Sequence, residues 1–258
     1  MFKRKSNKEN HFKSYDEFKS ALIQSGYQKS QIIFAIDFSS SNATSGKYHY
    51  KEGMHNIKKF TQTPYERAIL CLQPLFDDLD VDSKIPCFIF GDTETRDQSV
   101  RPLSDDIYLN GVQEVIKNYR QVCQRITMHG PTTLKPIISE AIKIMQYNKN
   151  MLHILVILTD GEVSNPEIDA EYIIKASEYP LSIVTVGLGD GPFDDFEKFD
   201  DKLRKRKFDN FNFVDYTELE SNLKDAEKLQ EKILVQLLHE LPEQLIAINK
   251  LKLLTVEK

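Results

Sequence analysis

Three short polar segments carry the oxygen-donor side chains that could do chemistry in this chain. The first is DFSSS at residues 37–41, in which Asp37, Ser39 and Ser41 alternate. Alternate residues leaving a strand turn toward one side, so these oxygens can face a single point if the next loop curls back. Alone the pattern is weak, because serines at such places also cap helices or satisfy turn backbone.

The other two segments place polar side chains at an expected helix start and an expected strand end. HGPTTLKP (129–136) sets Thr132 and Thr133 in a Gly-Pro turn before a helix, and VILTDG (156–161) ends an apolar run at Asp160. Each has a simpler interpretation, a helix N-cap for the threonines and an easy Asp-Gly turn for the aspartate. The segments meet only if the preceding strands lie in one sheet.

Continuous apolar runs of strand length supply such a sheet, at residues 31–37, 85–91, 152–159 and 181–187. Runs that are apolar at every position are typical of strands covered on both faces. A further run at 211–216 predicts an edge strand. Strand and helix alternate along the chain, which predicts an α/β fold: a doubly wound, mostly parallel sheet with helices on both faces. Ligand sites in such folds lie beyond the carboxyl ends of the strands.

Helical periodicity fills the connections between these strands. Apolar residues recur on one face of 64–76 and again on one face of 134–145. Residues 14–26 predict a first helix with a polar cap and a glycine stop. The segment 217–241 predicts a last helix that ends before Pro242, and we expect it to pack on the domain rather than expose its apolar stripe.

The chemistry of the three polar segments favours a hard cation. Hydroxyls and carboxylates without histidine or thiolate suit Mg²⁺, or Mn²⁺ in its place, and disfavour zinc. Separate caps and turns do not explain why three oxygen-rich ends occur in one doubly wound pattern. Convergence on one crevice would give these donors a shared ligand. The cysteines, Cys71, Cys87 and Cys123, form no C-x-x-C pair and are interpreted as core thiols in a reducing compartment.

At these residues the sequence resembles the copine-type von Willebrand factor A domain, which also occurs in plant RING ubiquitin ligases. The segments IDFSSSN, TPYERAI, IPCFIFGD, NGVQEVIKNYR, GPTTLKPII, LVILTDGEV and PLSIVTVGLGDGPF follow that family's order. The resemblance covers residues 13–254. A match this long and this ordered is specific.

The resemblance implies a Rossmann-like A domain with a metal-ion-dependent adhesion site. Ser39, Ser41 and Thr132 would bind the ion directly, and Asp37 and Asp160 would act largely through water. The open sixth position would take an aspartate or glutamate from a protein partner, so that metal and ligand charge complete each other. The partner would meet loops around six residues: Ser40, Asn42, Gly130, Thr133, Gly161 and Glu162.

We predict three parts: a flexible tail at 1–12, the A domain at 13–216 and a C-terminal helical extension at 217–258. Copines carry two C2 domains before the A domain, and the residues before the first predicted strand are too few for one, so calcium-driven membrane docking is not expected. A RING needs Cys and His pairs for two zinc ions, yet no cysteine follows Cys123. Phe2 also replaces the glycine that N-myristoylation requires.

Two other functions stay open. An accessory member of the ubiquitin-ligase lineage would recruit substrates without a RING of its own. A Mg²⁺-dependent phosphatase is the enzymatic alternative, since Mg²⁺ at such a crevice also serves phosphoryl transfer. A dehalogenase-like phosphatase would need D-x-D at the first strand, but Ser39 stands where the proton donor belongs. We therefore expect a non-catalytic protein without catalytic residues.

Composition narrows the partners and the compartment. With 34 basic and 39 acidic residues the net charge is -5, so the chain lacks the broad cationic surface that nucleic-acid binding needs. The most apolar stretch, 151–159, is about half as long as a membrane-spanning helix. We expect a soluble cytoplasmic protein, and the short basic runs at 3–5 and 204–207 allow the nucleus as a second compartment. The sequence makes no prediction of oligomeric state.

Overall fold

The computed structural model describes residues 12–148, 150–161 and 163–254, which form one sheet with helices on both faces. The strands are β1 (Ser30–Asp37), β2 (Lys84–Phe90), β3 (Arg101–Pro102), β4 (Tyr108–Asn110), β5 (Leu152–Thr159), β6 (Leu181–Gly187) and β7 (Phe211–Asp215). The helices are α1 (Tyr15–Gln24), α2 (Pro64–Cys71), α3 (Gln73–Leu79), α4 (Gly111–Cys123), α5 (Lys135–Tyr147), α6 (Pro166–Ala176), α7 (Asp194–Asp201), α8 (Tyr216–Asn222), α9 (Ala226–Leu238) and α10 (Leu241–Lys250). A short 3₁₀ helix covers Ser40–Ala43.

The sheet has the strand order β3-β2-β1-β5-β6-β7, and β4 also pairs with β2. The five longer strands are parallel, while β3 and β4 run antiparallel to β2. The predicted α/β fold with a mostly parallel, doubly wound sheet is confirmed. The last strand lies at a sheet edge, as its position in the chain predicted.

The central strand β1 shows why a continuous apolar run was needed. Phe34 and Ile36 face a cluster that includes side chains of α1, α2, α3, α9 and α10. Ile33 and Ala35 face the opposite cluster, built with α5, α6 and α7. Successive strand residues point to opposite faces, so a strand covered on both sides buries every side chain.

Two predicted helices are each divided in the structure. The segment 64–76 forms α2 and α3, because Pro74 lacks the N–H that a continuing helix needs and instead occupies the first turn of α3. The segment 217–241 forms α8 and α9, separated by extended backbone at Leu223. Asp225 then starts α9 by accepting hydrogen bonds from the first turn. The helix α9 ends at Leu238, before Pro242 as expected, and Pro242 lies in the first turn of α10.

The C-terminal helices pack on the sheet. Ile233 of α9 and Leu245 of α10 are buried in the same cluster as Phe34 of β1. The division of the chain into tail, domain and extension stays a prediction, and most of the proposed tail, residues 1–11, lies outside the described residues. Among the described helices, none is long and apolar enough to cross a membrane.

Candidate metal centre

The carboxyl ends of β1 and β5 bring the first and third polar segments together. The two strands are neighbours in the sheet, and the 3₁₀ helix after β1 turns the chain back over the strand ends. As a result the hydroxyl oxygens of Ser39 and Ser41 lie 2.9 Å apart. Ser41 Oγ also lies 2.9 Å from Asp160 Oδ1, although the two residues are 119 positions apart in the chain.

Asp37 is fully buried beside these serine and aspartate side chains and is held by hydrogen bonds. Its Oδ1 accepts a hydrogen bond of 2.7 Å from the backbone N–H of Ser39, and its Oδ2 accepts one of 2.7 Å from the hydroxyl of Thr159. Through these two hydrogen bonds the Asp37 carboxylate connects the loop after β1 to the end of β5. A carboxylate held in this way is suited to act on a metal indirectly, by orienting its ligands.

Asp160 has an unusual electrostatic position. Its Oδ2 is buried and has no hydrogen-bond partner among the described residues. Burial raises the pKa of Asp160, and the negative charge of Asp37 raises it further; burial likewise raises the pKa of Asp37. Buried polar atoms are nearly always satisfied, so an unpartnered carboxylate oxygen beside two hydroxyls fits a site for a cation.

The loop that carries Thr132 lies beside the same strand ends. His129 forms a β-bridge with Ser39, and its carbonyl accepts a hydrogen bond from the backbone N–H of Ser40. Thr132 is held through its backbone, whose N–H donates to Ser164 Oγ at 3.1 Å and whose carbonyl accepts from the Ser164 N–H at 2.8 Å. Its side chain is nearly buried, and no described contact joins its hydroxyl to the serine and aspartate oxygens.

The residues expected to meet a partner differ in exposure. Ser40 is exposed and Gly130 is half-buried. The side chain of Asn42 is fully buried and that of Thr133 nearly so, and the contact of their loops with a partner stays a prediction. Gly161 is also buried, with a φ of +133°, and a Cβ there would lie 2.8 Å from a backbone oxygen. Glu162 lies outside the described residues.

The Thr133 side chain makes a hydrogen bond within the fold. Its hydroxyl donates to Asp169 Oδ1 at 2.5 Å, and the same oxygen accepts from the backbone N–H groups of Leu134 and Lys135. A carboxylate from α6 therefore caps the first turn of α5. Burial raises the pKa of Asp169 to about 6, against the opposing effect of these donors.

A copine family model matches residues 53–257. The chain belongs to the copine family. The matched segment contains Thr132 and Asp160, whereas Asp37, Ser39 and Ser41 precede it. The family assignment confirms the resemblance to a copine-type von Willebrand factor A domain.

Two curated relatives place this copine domain in different contexts. The E3 ubiquitin-protein ligase RGLG3 of Arabidopsis thaliana is 39% identical over 248 residues, which cover 91% of this chain and 67% of the ligase. Copine family protein 2 of Caenorhabditis elegans is 38% identical over 249 residues, which cover 95% of this chain but 3% of that protein. The whole relatives therefore differ greatly in length around a shared domain.

A solved structure supports the fold. The PilB minor pilin of Streptococcus sanguinis matches with a TM-score of 0.50 and 12% identity, over 86% of this chain and 62% of the pilin. A likeness at this identity concerns the fold alone.

His55 of the copine domain supports the site but carried no signal in the sequence. Its ring lies between those of Phe38 and Tyr65, each 4.2 Å away between centroids. His55 Nε2 lies 2.9 Å from the carbonyl of Asp37, which can only accept, so this nitrogen carries the hydrogen. Nδ1 then accepts from the hydroxyl of Tyr119 at 2.8 Å. Burial lowers the pKa of His55 to about 3, so the ring is neutral at physiological pH.

Gly91 is a second residue that the sequence analysis missed. It follows β2 with a φ of +83°, and a Cβ there would lie 2.8 Å from Ser39 N and 3.0 Å from Asp37 Oδ1. Only glycine lets this backbone approach the turn so closely. A glycine directly after a buried strand was the available signal.

The candidate site of this copine domain offers oxygen donors. Within the described ranges, no group of three or more His, Cys, Asp or Glu side chains is placed to hold a metal. The oxygens that do converge are two hydroxyls and one carboxylate. Hydroxyl and carboxylate oxygens are the donors that hard cations generally prefer.

Proposed function

We propose that this copine domain binds Mg²⁺, or Mn²⁺ in its place, and through the ion captures an aspartate or glutamate of a protein partner. The observation that carries the proposal is the buried, unpartnered Oδ2 of Asp160 beside the hydroxyls of Ser39 and Ser41. A cation there would relieve the cost of burying this carboxylate.

The proposed ligands divide into two groups. Ser39, Ser41 and Thr132 would hold the ion through their hydroxyl oxygens, and Asp37 and Asp160 would hold it largely through water. Both oxygens of Asp37 already accept hydrogen bonds inside the protein, which supports its indirect role. When bound, the ion would supply positive charge that neutral hydroxyls leave largely uncompensated, so it would attract a carboxylate from outside.

Calorimetric titration with Mg²⁺ and Mn²⁺ tests the metal site. We expect the wild type to bind, and Ser39→Ala and Asp160→Ala to lose most of the affinity. Ser99→Ala, which changes an exposed serine, is the matched control and keeps wild-type affinity. Equal binding by all four proteins would refute the assignment.

The partner is tested with peptides in the presence of Mg²⁺. A peptide with a single central glutamate is expected to bind, and its glutamine counterpart is not. A chelator should release the first peptide. Binding that survives the chelator would show that the partner is recognised without the ion.

The similarity to RGLG3 favours a second function, recruitment of substrates for ubiquitination. In this role the domain would hold a substrate through the same site, with a RING outside these 258 residues. A pull-down from cell extract should then recover ubiquitin conjugates in Mg²⁺ and lose them in chelator. Recovery of acidic proteins without conjugates would support adhesion alone.

We propose that the chain is not an enzyme. Asp37 is fully buried and its two carboxylate oxygens accept hydrogen bonds from Ser39 and Thr159, which disfavours attack on a phosphate. With p-nitrophenyl phosphate and Mg²⁺ we expect no turnover above buffer. Turnover that Asp37→Ala removes would overturn this part of the proposal.

We also propose a cytoplasmic location. The basic run 204–207 is not a free signal, because Arg206 is largely buried and donates to the carbonyls of Leu203 and Asp200. A fluorescent fusion should fill the cytoplasm, and nuclear accumulation that needs residues 204–207 would contradict the proposal.

A further inference from the structure

The hydroxyl hydrogens at the candidate metal centre have one consistent assignment. Ser41 has a single O–H, and its carboxylate acceptor is Asp160 Oδ1 at 2.9 Å. Ser39 Oγ and Ser41 Oγ are also 2.9 Å apart. Ser39 Oγ also lies 3.4 Å from Asp160 Oδ1, but the shorter contact from Ser41 uses the hydrogen of Ser41 on the carboxylate, so Ser39 is the donor between the two serines.

Asn42 supplies a hydrogen to Ser39 from the protein interior. Its Nδ2 lies 3.3 Å from Ser39 Oγ and 3.5 Å from the carbonyl oxygen of Asp37. A carbonyl only accepts, so the amide nitrogen and not the amide oxygen must face this side. The Asn42 side chain is fully buried, so solvent does not compete for these hydrogen bonds.

Tyr65 fixes the other end of the amide. Its hydroxyl donates to Asn42 Oδ1 at 2.8 Å, and both side chains are fully buried. Burial and the negative charges of Asp37 and Asp160 raise the pKa of Tyr65 well above its usual value. The phenol therefore stays protonated and remains a donor.

We propose that Asn42 and Tyr65 are positioning residues that set the serine hydroxyls through a one-way donor chain. The donor chain runs, from first donor to last acceptor, through Tyr65, Asn42, Ser39, Ser41 and Asp160. The inference rests on the proposed function. It assigns to two buried residues the orientation of two metal ligands.

The donor chain determines how many lone pairs the serine oxygens keep for a cation. A hydroxyl oxygen has two lone pairs and one hydrogen. Ser39 and Ser41 each accept one bond and donate one, so each keeps one lone pair for a cation. Without the Asn42 amide, Ser39 is free to rotate its hydrogen toward the place of the ion. Loss of a group that orients a ligand typically lowers metal affinity by about 10- to 100-fold.

A double-mutant cycle separates orientation from simple packing. Asn42→Leu removes the amide at similar volume and leaves the buried Tyr65 hydroxyl unpaired. Tyr65→Phe removes that hydroxyl alone. The double variant Asn42→Leu/Tyr65→Phe replaces both partners by apolar groups, which is close to neutral for stability.

Mg²⁺ titration and thermal unfolding are measured on all four proteins. We expect Asn42→Leu to melt earlier and to bind about 10- to 100-fold more weakly. Tyr65→Phe should weaken binding by a smaller factor, since it only loosens the amide. The double variant should regain most of the melting temperature while its affinity stays as low as that of Asn42→Leu. An affinity that recovers together with stability overturns the inference.

A measurement on the metal-free protein keeps this result distinct from the proposed function. The side-chain amide protons of Asn42 are followed by NMR in wild type and in Ser39→Ala, with Ser99→Ala as the control. We expect the Asn42 signals to move only in Ser39→Ala, and unchanged signals overturn the donor chain. Wild-type protein that binds neither Mg²⁺ nor Mn²⁺ overturns the proposed function. Mg²⁺ binding that is equal in wild type and double variant overturns this inference alone.

Discussion

The two sides of the candidate metal centre are held by different kinds of bonds. On the serine side, Ser39 and Asp37 are fixed by side-chain hydrogen bonds that continue into the buried core. On the threonine side, Thr132 is held by backbone bonds to Ser164, and the next residue by the carboxylate of Asp169. The serine side is therefore set before any ligand arrives, while the threonine side depends on one loop and one titratable group.

The largest expected effect is on the serine side. Asp160→Asn should weaken Mg²⁺ binding by on the order of 10³-fold, about 4 kcal/mol, as when one member of a buried charge pair is removed. The metal-free variant should nevertheless unfold at a higher temperature, because a buried carboxylate with a raised pKa is replaced by a neutral group. Calorimetry and thermal unfolding measure the two effects.

Asp92→Asn is the matched control for this result. Burial alone would raise the pKa of Asp92, but hydrogen bonds from Thr95 and Arg101 outweigh it and hold the pKa below its usual range. Its neutral variant should lose stability and keep metal affinity, the reverse of Asp160→Asn. If both variants change stability and metal affinity in the same way, Asp160 and Asp92 do not have different roles at their strand ends.

The second effect tests the titratable group of the threonine side. The pKa of Asp169 is about 6 in the fold, against 3.8 for an unperturbed aspartate, so the folded protein binds the proton more tightly than the unfolded chain does. Stability therefore falls as pH rises from about 4 to about 6, by about 2–3 kcal/mol in total. Urea unfolding of wild type and Asp169→Asn across this range should show that the variant becomes more stable relative to the wild type as the pH rises. A constant difference would show that Asp169 does not titrate there.

The third effect concerns the threonine hydroxyl itself. Thr132→Val keeps the shape and removes the oxygen, and we expect about tenfold weaker Mg²⁺ binding, or about 1.4 kcal/mol. Thr132→Ser keeps the oxygen and should bind within about twofold of wild type. If both variants bind like wild type, the threonine side contributes no ligand.

The smallest effect probes the backbone support of that loop. Ser164→Ala removes the acceptor of the Thr132 N–H and should cost about 0.5–1.5 kcal/mol of stability. Metal affinity should fall only a few-fold, because the serine side is held independently. A loss of affinity as large as that of Asp160→Asn would show that the two sides are coupled.

Sequence patterns predicted the parts of the fold that bury every residue. The four long runs that became β1, β2, β5 and β6 were recognisable because each is covered on both faces. The two-residue β3 and three-residue β4 are too short to show any period. The acidic segment 194–201 forms the helix α7 and buries Phe196 and Phe199.

The candidate site was predictable only in its outer layer. D-x-S-x-S and the Thr-Asp-Gly end of β5 carry their own signal, since oxygen-rich residues directly follow apolar runs. Polarity does not tell which way a side chain points, so the sequence did not show that Asn42 and Thr133, in loops expected to meet a partner, have buried side chains. His55 and Tyr65 reach the site from distant segments, and no local pattern could show that.

The position of Tyr65 gives the protein a built-in indicator. The chain has no tryptophan and 11 tyrosines, so its near-ultraviolet spectrum comes from phenol rings. The Tyr65 hydroxyl is bonded to the amide that contacts Ser39, and its ring packs against that of His55. Occupation of the site should therefore change the absorbance near the phenol band without any added dye, and Tyr65→Phe should silence that optical signal.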